Sequence, residues 1–194
     1  MSLILFMETN EGLLLVGDSR LSKINNPSWH KDDTEKVFEY KNKIGIAYHG
    51  DADINGEPIS DIIKKFILTI NKKYSFDHIL IKLQEYITSK GKPNTMFYLV
   101  GYENYQRKII AFNIFKDILS DLSSSIHGSG GEDEIAWSMM QGRFDMHKTI
   151  EDALVFIEQI YKNTIGRIPT VGGEIDILLI SKNSQTKWIQ HKRF

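Results

Sequence analysis

The chain has 194 residues and no cysteine, which excludes disulfide bonds, cysteine nucleophiles and thiolate metal sites. Proline is scarce as well, with 4 residues, and the sequence contains no internal repeat and no linker rich in Pro or Ser. Chains of this length usually form one domain, and sparse breaks favour a continuous one. We therefore predict a single domain over residues 1–194.

The sequence also lacks a charge surplus and a long apolar run. Lys and Arg total 24 against 25 Asp and Glu, a formal net charge of -1, whereas nucleic-acid-binding domains usually carry a basic surplus. The longest apolar runs, such as 13–16 and 177–180, are far shorter than the ~20 residues that cross a bilayer. The first residues do not have the pattern of a signal peptide. We expect a cytoplasmic protein that binds neither nucleic acid nor membrane.

Apolar residues recur with two different periods. Short apolar or alternating runs between turn residues predict strands, and apolar stripes at helical spacing predict helices over 59–70, 76–87 and 150–161, with a shorter helix around Trp137. The predicted order is four strands, two helices, two strands, two helices and two strands. Each helix pair is apolar on one side and must cover a sheet face. This pattern predicts an α+β fold, a four-layer α-β-β-α sandwich.

Histidines and glycines give weak signals when each is taken alone. The histidines are widely scattered, at His30, His49, His78, His127, His147 and His191. None has the short spacing of metal ligands on a helix, so we predict no metal and no cofactor. The run 128–131, Gly-Ser-Gly-Gly, is typical of a tight turn between a strand and a helix, although its amides could also hold an anion.

The first residues suggest a more specific chemistry. Ser2 follows the initiator Met, which aminopeptidases normally remove before a small residue, so we expect Ser2 to carry a free amine. An N-terminal serine is nucleophile and base together, because its own α-amine can take the hydroxyl proton. The pKa of an α-amine is roughly 7.7 to 8.0, and a nearby lysine ammonium would lower it by like-charge repulsion.

Three further residues could complete such a site. Asp18 ends an apolar strand and could hold Lys36, which begins another predicted strand. A backbone amide near Gly50, at the end of the strand over 44–50, could stabilise the oxyanion of a tetrahedral intermediate.

These residues, in this order, resemble the proteasome β-subunit superfamily of N-terminal-nucleophile (Ntn) hydrolases, including the bacterial proteasome-like branch. The resemblance spans nearly the whole chain. It is carried by Ser2, by Gly17-Asp18-Ser19-Arg20, by Lys36 before an apolar strand, by Gly50 at the end of the next strand, by Gly128-Ser129-Gly130, and by Gly172-Gly173 before a late strand. The fold implied is the same α-β-β-α sandwich.

The resemblance also implies roles for individual residues. The catalytic set is Ser2 as nucleophile and base, Asp18 and Lys36 as its tuning pair, Gly50 as oxyanion donor, and Ser129 as support for the Ser2 amine. The residues expected to bind substrate are Arg20, Tyr48 and His49, of which the last two are bulky and imply a restricted pocket.

The resulting prediction is a peptide-bond hydrolase of the threonine-peptidase type that uses serine and forms an acyl-enzyme. Its substrate would be a peptide or protein, and the resemblance implies a homo-oligomeric ring and leaves open an ATPase unfoldase partner. One departure matters, because Ile168 and Val171 stand where many proteasome subunits carry Asp and Ser. Two alternatives therefore stay open: a non-catalytic scaffold or ring subunit, and a peptide-ligating relative with the same acyl-enzyme.

Overall fold

A computed structural model describes residues 2–23, 26–41, 43–70, 74–141 and 149–191. Met1 and His147 lie outside these ranges. The strands are β1 (Leu3–Glu8), β2 (Gly12–Asp18), β3 (Leu21–Lys23), β4 (Asn26–Lys31), β5 (Val37–Tyr40), β6 (Ile44–Gly50), β7 (Asp53–Ile54), β8 (Glu57–Pro58), β9 (Thr95–Glu103), β10 (Gln106–Asn113), β11 (Ile118–Asp121), β12 (His127–Gly131), β13 (Ile175–Ser181) and β14 (Thr186–Gln190). The helices are α1 (Ile59–Thr69), α2 (Phe76–Lys90), α3 (Glu134–Met140) and α4 (Ile150–Ile165).

The strands form a mixed α/β structure with two large antiparallel sheets. Sheet I has the order β12-β1-β2-β13-β14, and sheet II has the order β11-β10-β9-β6-β5. Two small hairpins, β3-β4 and β7-β8, stand beside them. In the part of the chain that the structure describes, no helix is both long and apolar enough to cross a membrane.

The helices predicted from apolar spacing are confirmed, and local chemistry fixes where two of them begin. The Thr149 side chain accepts from the Asp152 amide while the Asp152 side chain accepts from the Thr149 amide, which is a capping box at the start of α4. The Ser75 side chain caps α2 by accepting from the His78 amide. The strands β3, β4, β7, β8 and β11 were not predicted. Strands β3, β7 and β8 have only two or three residues, and β4 and β11 have no long apolar run in the sequence.

The tight turn predicted for the run 128–131 is wrong, because these residues form strand β12, which pairs with β1. Its glycines are needed for close packing. A Cβ on Gly128 would collide with the Phe6 ring, and one on Gly130 would collide with the Tyr98 hydroxyl. Only Gly131, at the end of the strand, has a φ of +93° that side-chain-bearing residues rarely adopt.

Three apolar clusters connect the elements. One contains buried residues of α1, α2 and sheet II, and a second contains buried residues of α3, α4 and sheet I. The third joins the two sheets directly, with Phe6 and Leu15 of sheet I packed among Ala47 and Val100 of sheet II. Side chains alternate between faces along a strand, so β1 sends Leu3 and its alternates to the second cluster and Phe6 to the third.

Candidate active site

Ser2, Asp18 and Lys36 meet where three strands begin or end. The first strand begins directly after Ser2 and pairs antiparallel with β2, with Ile4 opposite Gly17, so the start of β1 lies beside Asp18 at the end of β2. Lys36 directly precedes β5 of sheet II. The two sheets approach closely here, because a Cβ on Gly17 would lie only 2.8 Å from the Val37 side chain.

The Asp18 carboxylate accepts four hydrogen bonds and has a 0% exposed side chain. Its Oδ1 accepts from the Leu3 amide at 2.9 Å and from Lys36 Nζ at 3.1 Å. Its Oδ2 accepts from the Gly172 amide at 3.1 Å and from the Arg20 amide at 3.3 Å. A buried charge needs such compensation, and Oδ1 thereby joins the Lys36 ammonium to the peptide bond that follows Ser2.

The Lys36 side chain is 2% exposed and also donates to the Arg20 carbonyl oxygen. Burial lowers the pKa of Lys36, and the Asp18 carboxylate opposes that change. An ammonium has three N–H donors, and these two acceptors use two of them. Among the described residues no hydrogen bond joins Lys36 to the Ser2 hydroxyl.

The Arg20 side chain is engaged by the protein itself. Its guanidinium forms a bidentate pair with Asp32, at 2.7 and 2.8 Å, and donates to the Pro169 carbonyl oxygen at 3.2 Å. A Cβ on Gly172 would collide with this guanidinium, which explains the first glycine of the late Gly-Gly pair. These contacts favour a structural role for Arg20 over the substrate contact predicted for it.

Gly50 ends β6 beyond the part of that strand that pairs with β5, since the pairing stops at Ala47. The Tyr48 amide still donates to the Lys36 carbonyl oxygen at 3.2 Å. Backbone N–H groups alternate between the two edges of a strand, so the Gly50 amide points to the same edge as that of Tyr48, towards Lys36. This direction fits an oxyanion donor.

Tyr48 and His49, which were predicted to act together, face opposite sides of sheet II. Tyr48 packs with α1 and α2, where burial raises its pKa. His49 lies on the side of Ala47, the side that faces sheet I. The two residues therefore serve different surroundings.

The His49 ring lies beside Ser2 and β12. Its Nε2 is 3.1 Å from the Tyr98 hydroxyl. A Cβ on Gly131 would collide with the Ser2 carbonyl oxygen and would lie 3.4 Å from the His49 ring. Burial lowers the pKa of His49 to about 4, and Lys36 adds to this through its charge, so the imidazole is neutral at physiological pH.

The Ser129 hydroxyl donates to Asp133 Oδ2 at 3.1 Å, just before α3. Because Gly128 and Gly130 face sheet II, alternation along β12 turns Ser129 to the opposite face. In the described part of the chain, no hydrogen bond joins Ser129 to Ser2.

A cavity of about 330 Å³ adjoins this corner. Its lining includes Leu21, which follows Arg20, and Glu35, which precedes Lys36, together with Ala52 and Ser60. The lining is about half apolar and carries charges of both signs, with Glu35 paired to Lys64 at 2.8 Å. A larger cavity of about 540 Å³ is lined by residues of α3 and α4 and by Arg167, none of them a predicted site residue.

Sequence reasoning missed Tyr98, Asp32 and Asp133, the side-chain partners of His49, Arg20 and Ser129. None of them stands in a recognisable motif. Ile168 and Val171 pack in the apolar cluster with α3 and α4, and so they place no polar side chain beside Ser2. Within the described ranges, no group of three or more His, Asp or Glu side chains is arranged to hold a metal ion.

Comparisons with known proteins give one informative result. No protein-family model and no curated protein matches the sequence. A mutant of Anbu from Hyphomicrobium sp. strain MC1, a bacterial proteasome-like protein, is similar in structure with a TM-score of 0.72 and 10% sequence identity, covering 97% of this chain and 87% of that one. The chain therefore has the fold of this proteasome-like protein, which confirms the resemblance to the bacterial proteasome-like branch at the level of the fold.

Proposed function

We propose that this protein is an Ntn hydrolase that cleaves peptide bonds with Ser2, after the bond preceding Ser2 has been cut. One observation carries the proposal: the buried Lys36–Asp18 pair, joined through Asp18 Oδ1 to the peptide bond that follows Ser2. Burying a charged pair is costly. A pair buried beside a terminal hydroxyl and its amine has a clear use, because it tunes the nucleophile.

The proposed chemistry uses Ser2, the Gly50 amide, Lys36 and water. Ser2 Oγ bonds to the substrate carbonyl carbon while its proton passes to the Ser2 α-amine. The carbonyl electron pair moves onto oxygen, and the Gly50 amide stabilises this charge. The C–N bond then breaks, and the leaving amine takes the proton. Water then attacks the carbonyl carbon of the resulting ester and gives a proton to the same amine. The C–Oγ bond breaks, Ser2 Oγ takes that proton back, and the acid is released.

Lys36 assists by charge and by its remaining donor. With two N–H groups occupied by Asp18 and Arg20, the third is available to the Ser2 oxygen. The ammonium also lowers the pKa of the Ser2 α-amine by repulsion, which enlarges the neutral fraction that can act as base. Ser129 holds Asp133 through its hydrogen bond, next to Glu132, whose amide donates to the Ser2 carbonyl oxygen, and so it supports Ser2 only indirectly.

The cavity lined by Leu21, Glu35, Ala52 and Ser60 is proposed to receive a substrate side chain. Because charges of both signs line it, it should favour a polar side chain over a large apolar one. Tyr48 limits its depth indirectly, because it packs against α1, the helix that carries Ser60 of the cavity lining.

We also propose the architecture and assembly that accompany this function. The three apolar clusters support a four-layer α-β-β-α order in one domain over 1–194, with the sheets in the middle. Exposed apolar side chains beside edge strand β11, Phe115 and Leu119, both 63% exposed, support association of copies into a homo-oligomer. A cytoplasmic location and an ATPase unfoldase partner are kept as predictions.

Hydrolysis of a peptide library tests the proposal. The protein is prepared with Ser2 as its first residue, and products are identified by mass spectrometry. Ser2→Ala should abolish cleavage and Ser2→Thr should retain part of it, since threonine keeps the hydroxyl beside the amine. Ser22→Ala is the matched control, because Ser22 is another buried serine whose hydroxyl has no hydrogen-bond partner among the described residues. Equal cleavage by Ser2→Ala would refute the assignment.

A second candidate is a non-catalytic scaffold with the same fold. The apolar packing of Ile168 and Val171 favours it, as does the absence, within the described residues, of a hydrogen bond between Lys36 and the Ser2 hydroxyl. In that case the protein beginning at Ser2 would cleave nothing and yet assemble. Sedimentation measured beside the cleavage assay separates the two candidates.

A further inference from the structure

We propose that His49 and Tyr98 form a positioning pair for Ser2. The two uncharged side chains hold the backbone around Ser2, and with it the nucleophile, in place. The inference rests on the proposed function for its catalytic consequence. It concerns residues that touch the Ser2 backbone region from sheet II, on the side opposite to Ile168 and Val171.

The first support is steric. Strand β12 lies against β1 with Leu3 opposite Gly131, and the Glu132 amide donates to the Ser2 carbonyl oxygen at 2.9 Å. The side of Gly130 that would carry a Cβ is occupied by the Tyr98 hydroxyl and the His49 ring, and a Cβ on Gly131 would meet the Ser2 carbonyl group with the His49 ring 3.4 Å away. Both rings thus press on the segment that holds Ser2.

The second support is the hydrogen bond between the two rings. Tyr98 lies on β9 and His49 on the neighbouring strand β6. The two residues are diagonal neighbours across these strands, since Ala47 is opposite Tyr98 and His49 is opposite Met96. The contact between His49 Nε2 and the Tyr98 hydroxyl, 3.1 Å long, fixes the ring orientation that side-chain packing alone would leave adjustable. A fixed ring defines a fixed position for β12 and Ser2.

The third support is charge. Burial keeps the pKa of His49 low, and burial together with Asp133 raises the pKa of Tyr98, so both rings are neutral at physiological pH. A cationic side chain at this position would add a second positive charge near Lys36. It would compete with Lys36 for the negative charge of Asp18. A neutral pair can press against Ser2 without disturbing the Lys36–Asp18 charge balance.

The test uses two readouts on Tyr98→Phe, His49→Ala and His49→Gln. The first is hydrogen exchange of the Glu132 and Leu3 amides, which bond to the Ser2 carbonyl oxygen and to Asp18. The second is the rate at which an epoxyketone modifies Ser2 in protein that begins at Ser2, measured across pH. Tyr102→Phe is the matched control, because Tyr102 is a buried tyrosine on the same strand whose hydroxyl has no hydrogen-bond partner among the described residues.

We expect Tyr98→Phe and His49→Ala to speed both amide exchanges about tenfold and to slow modification by a similar factor. His49→Gln, which can still reach the Tyr98 hydroxyl, should recover most of both, and Tyr102→Phe should change neither. Unchanged exchange in His49→Ala would overturn the inference, and so would faster exchange without slower modification. If the unmutated protein is never modified, the proposed function fails, and the exchange readout alone then decides whether the pair positions Ser2.

Discussion

The two ends of strand β1 each carry an ion pair that joins sheet I to sheet II, and the two pairs differ in their surroundings. At the Ser2 end, the Lys36 and Asp18 side chains are 2% and 0% exposed. At the other end, Arg107 pairs with Glu8, and these side chains are 15% and 12% exposed. Arg107 also donates to the Ser123 carbonyl oxygen at 2.7 Å.

The comparison shows what separates a candidate site from a structural pair. Arg107 and Glu8 compensate each other's charge, whereas Ser2, with its hydroxyl and α-amine, lies at the opposite end of β1. At the Ser2 end the carboxylate accepts from three backbone amides in addition to Lys36, and a neutral imidazole lies nearby. A cavity is lined by Leu21 and Glu35, the chain neighbours of Arg20 and Lys36. A buried ion pair can shift the pKa of a nucleophile, or of its base, only where that group lies close to the pair.

Removing Lys36 should have the largest effect. Lys36→Met leaves Asp18 as a buried carboxylate without its cation, which should lower the free energy of unfolding by about 3–5 kcal/mol and abolish peptide cleavage. Chemical denaturation and the cleavage assay measure the two effects. Lys64→Met is the control for stability, because Lys64 is 50% exposed in its pair with Glu35 and the pair should contribute at most about 1 kcal/mol. If Lys36→Met were as stable as Lys64→Met, the buried pair would not hold this corner together.

A titration of stability sharpens the comparison, because the Ser2 end contains His49, whose pKa burial lowers to about 4. The pKa of His49 falls from 6.5 to about 4 on folding, so the folded state binds fewer protons than the unfolded state between these values. Stability should therefore decrease as pH falls from about 6.5 to about 4, by up to about 3 kcal/mol. His49→Gln should lose this part of the decrease. The same pH dependence in both proteins would show that His49 titrates normally.

The smallest expected effect is at the Glu8 end. Arg107→Met should lower the free energy of unfolding by about 2 kcal/mol, the contribution of hydrogen bonds to a charged group, and leave Ser2 reactivity unchanged. Denaturation measures the first quantity and the rate of Ser2 modification the second. A loss of reactivity as large as that in Lys36→Met would contradict the distinction between the two ends of β1.

The sequence predicted the elements that have a period and the site residues that stand at strand ends. The helices α1, α2 and α4 could be predicted because burial of one helix face places apolar residues at helical spacing. Asp18 and Lys36 could be predicted as site residues because each is a charged residue at the end of an apolar strand. The contact of His49 with Tyr98 depends on the register of β6 with β9 and on how close the two sheets come, and a single sequence carries neither. For the same reason, the sequence alone does not distinguish glycines that permit close packing in β12 from glycines of a turn.

The central claim is that Ser2 is a nucleophile tuned by Lys36 and Asp18. It is tested most directly by the intact mass of protein beginning at Ser2, before and after treatment with an epoxyketone, with the modified residue mapped by peptide fragmentation. The account predicts one adduct, on Ser2, that is absent from the Lys36→Met and Ser2→Ala variants. A free Ser2 that never reacts, or an adduct on another residue, would contradict it and favour the scaffold.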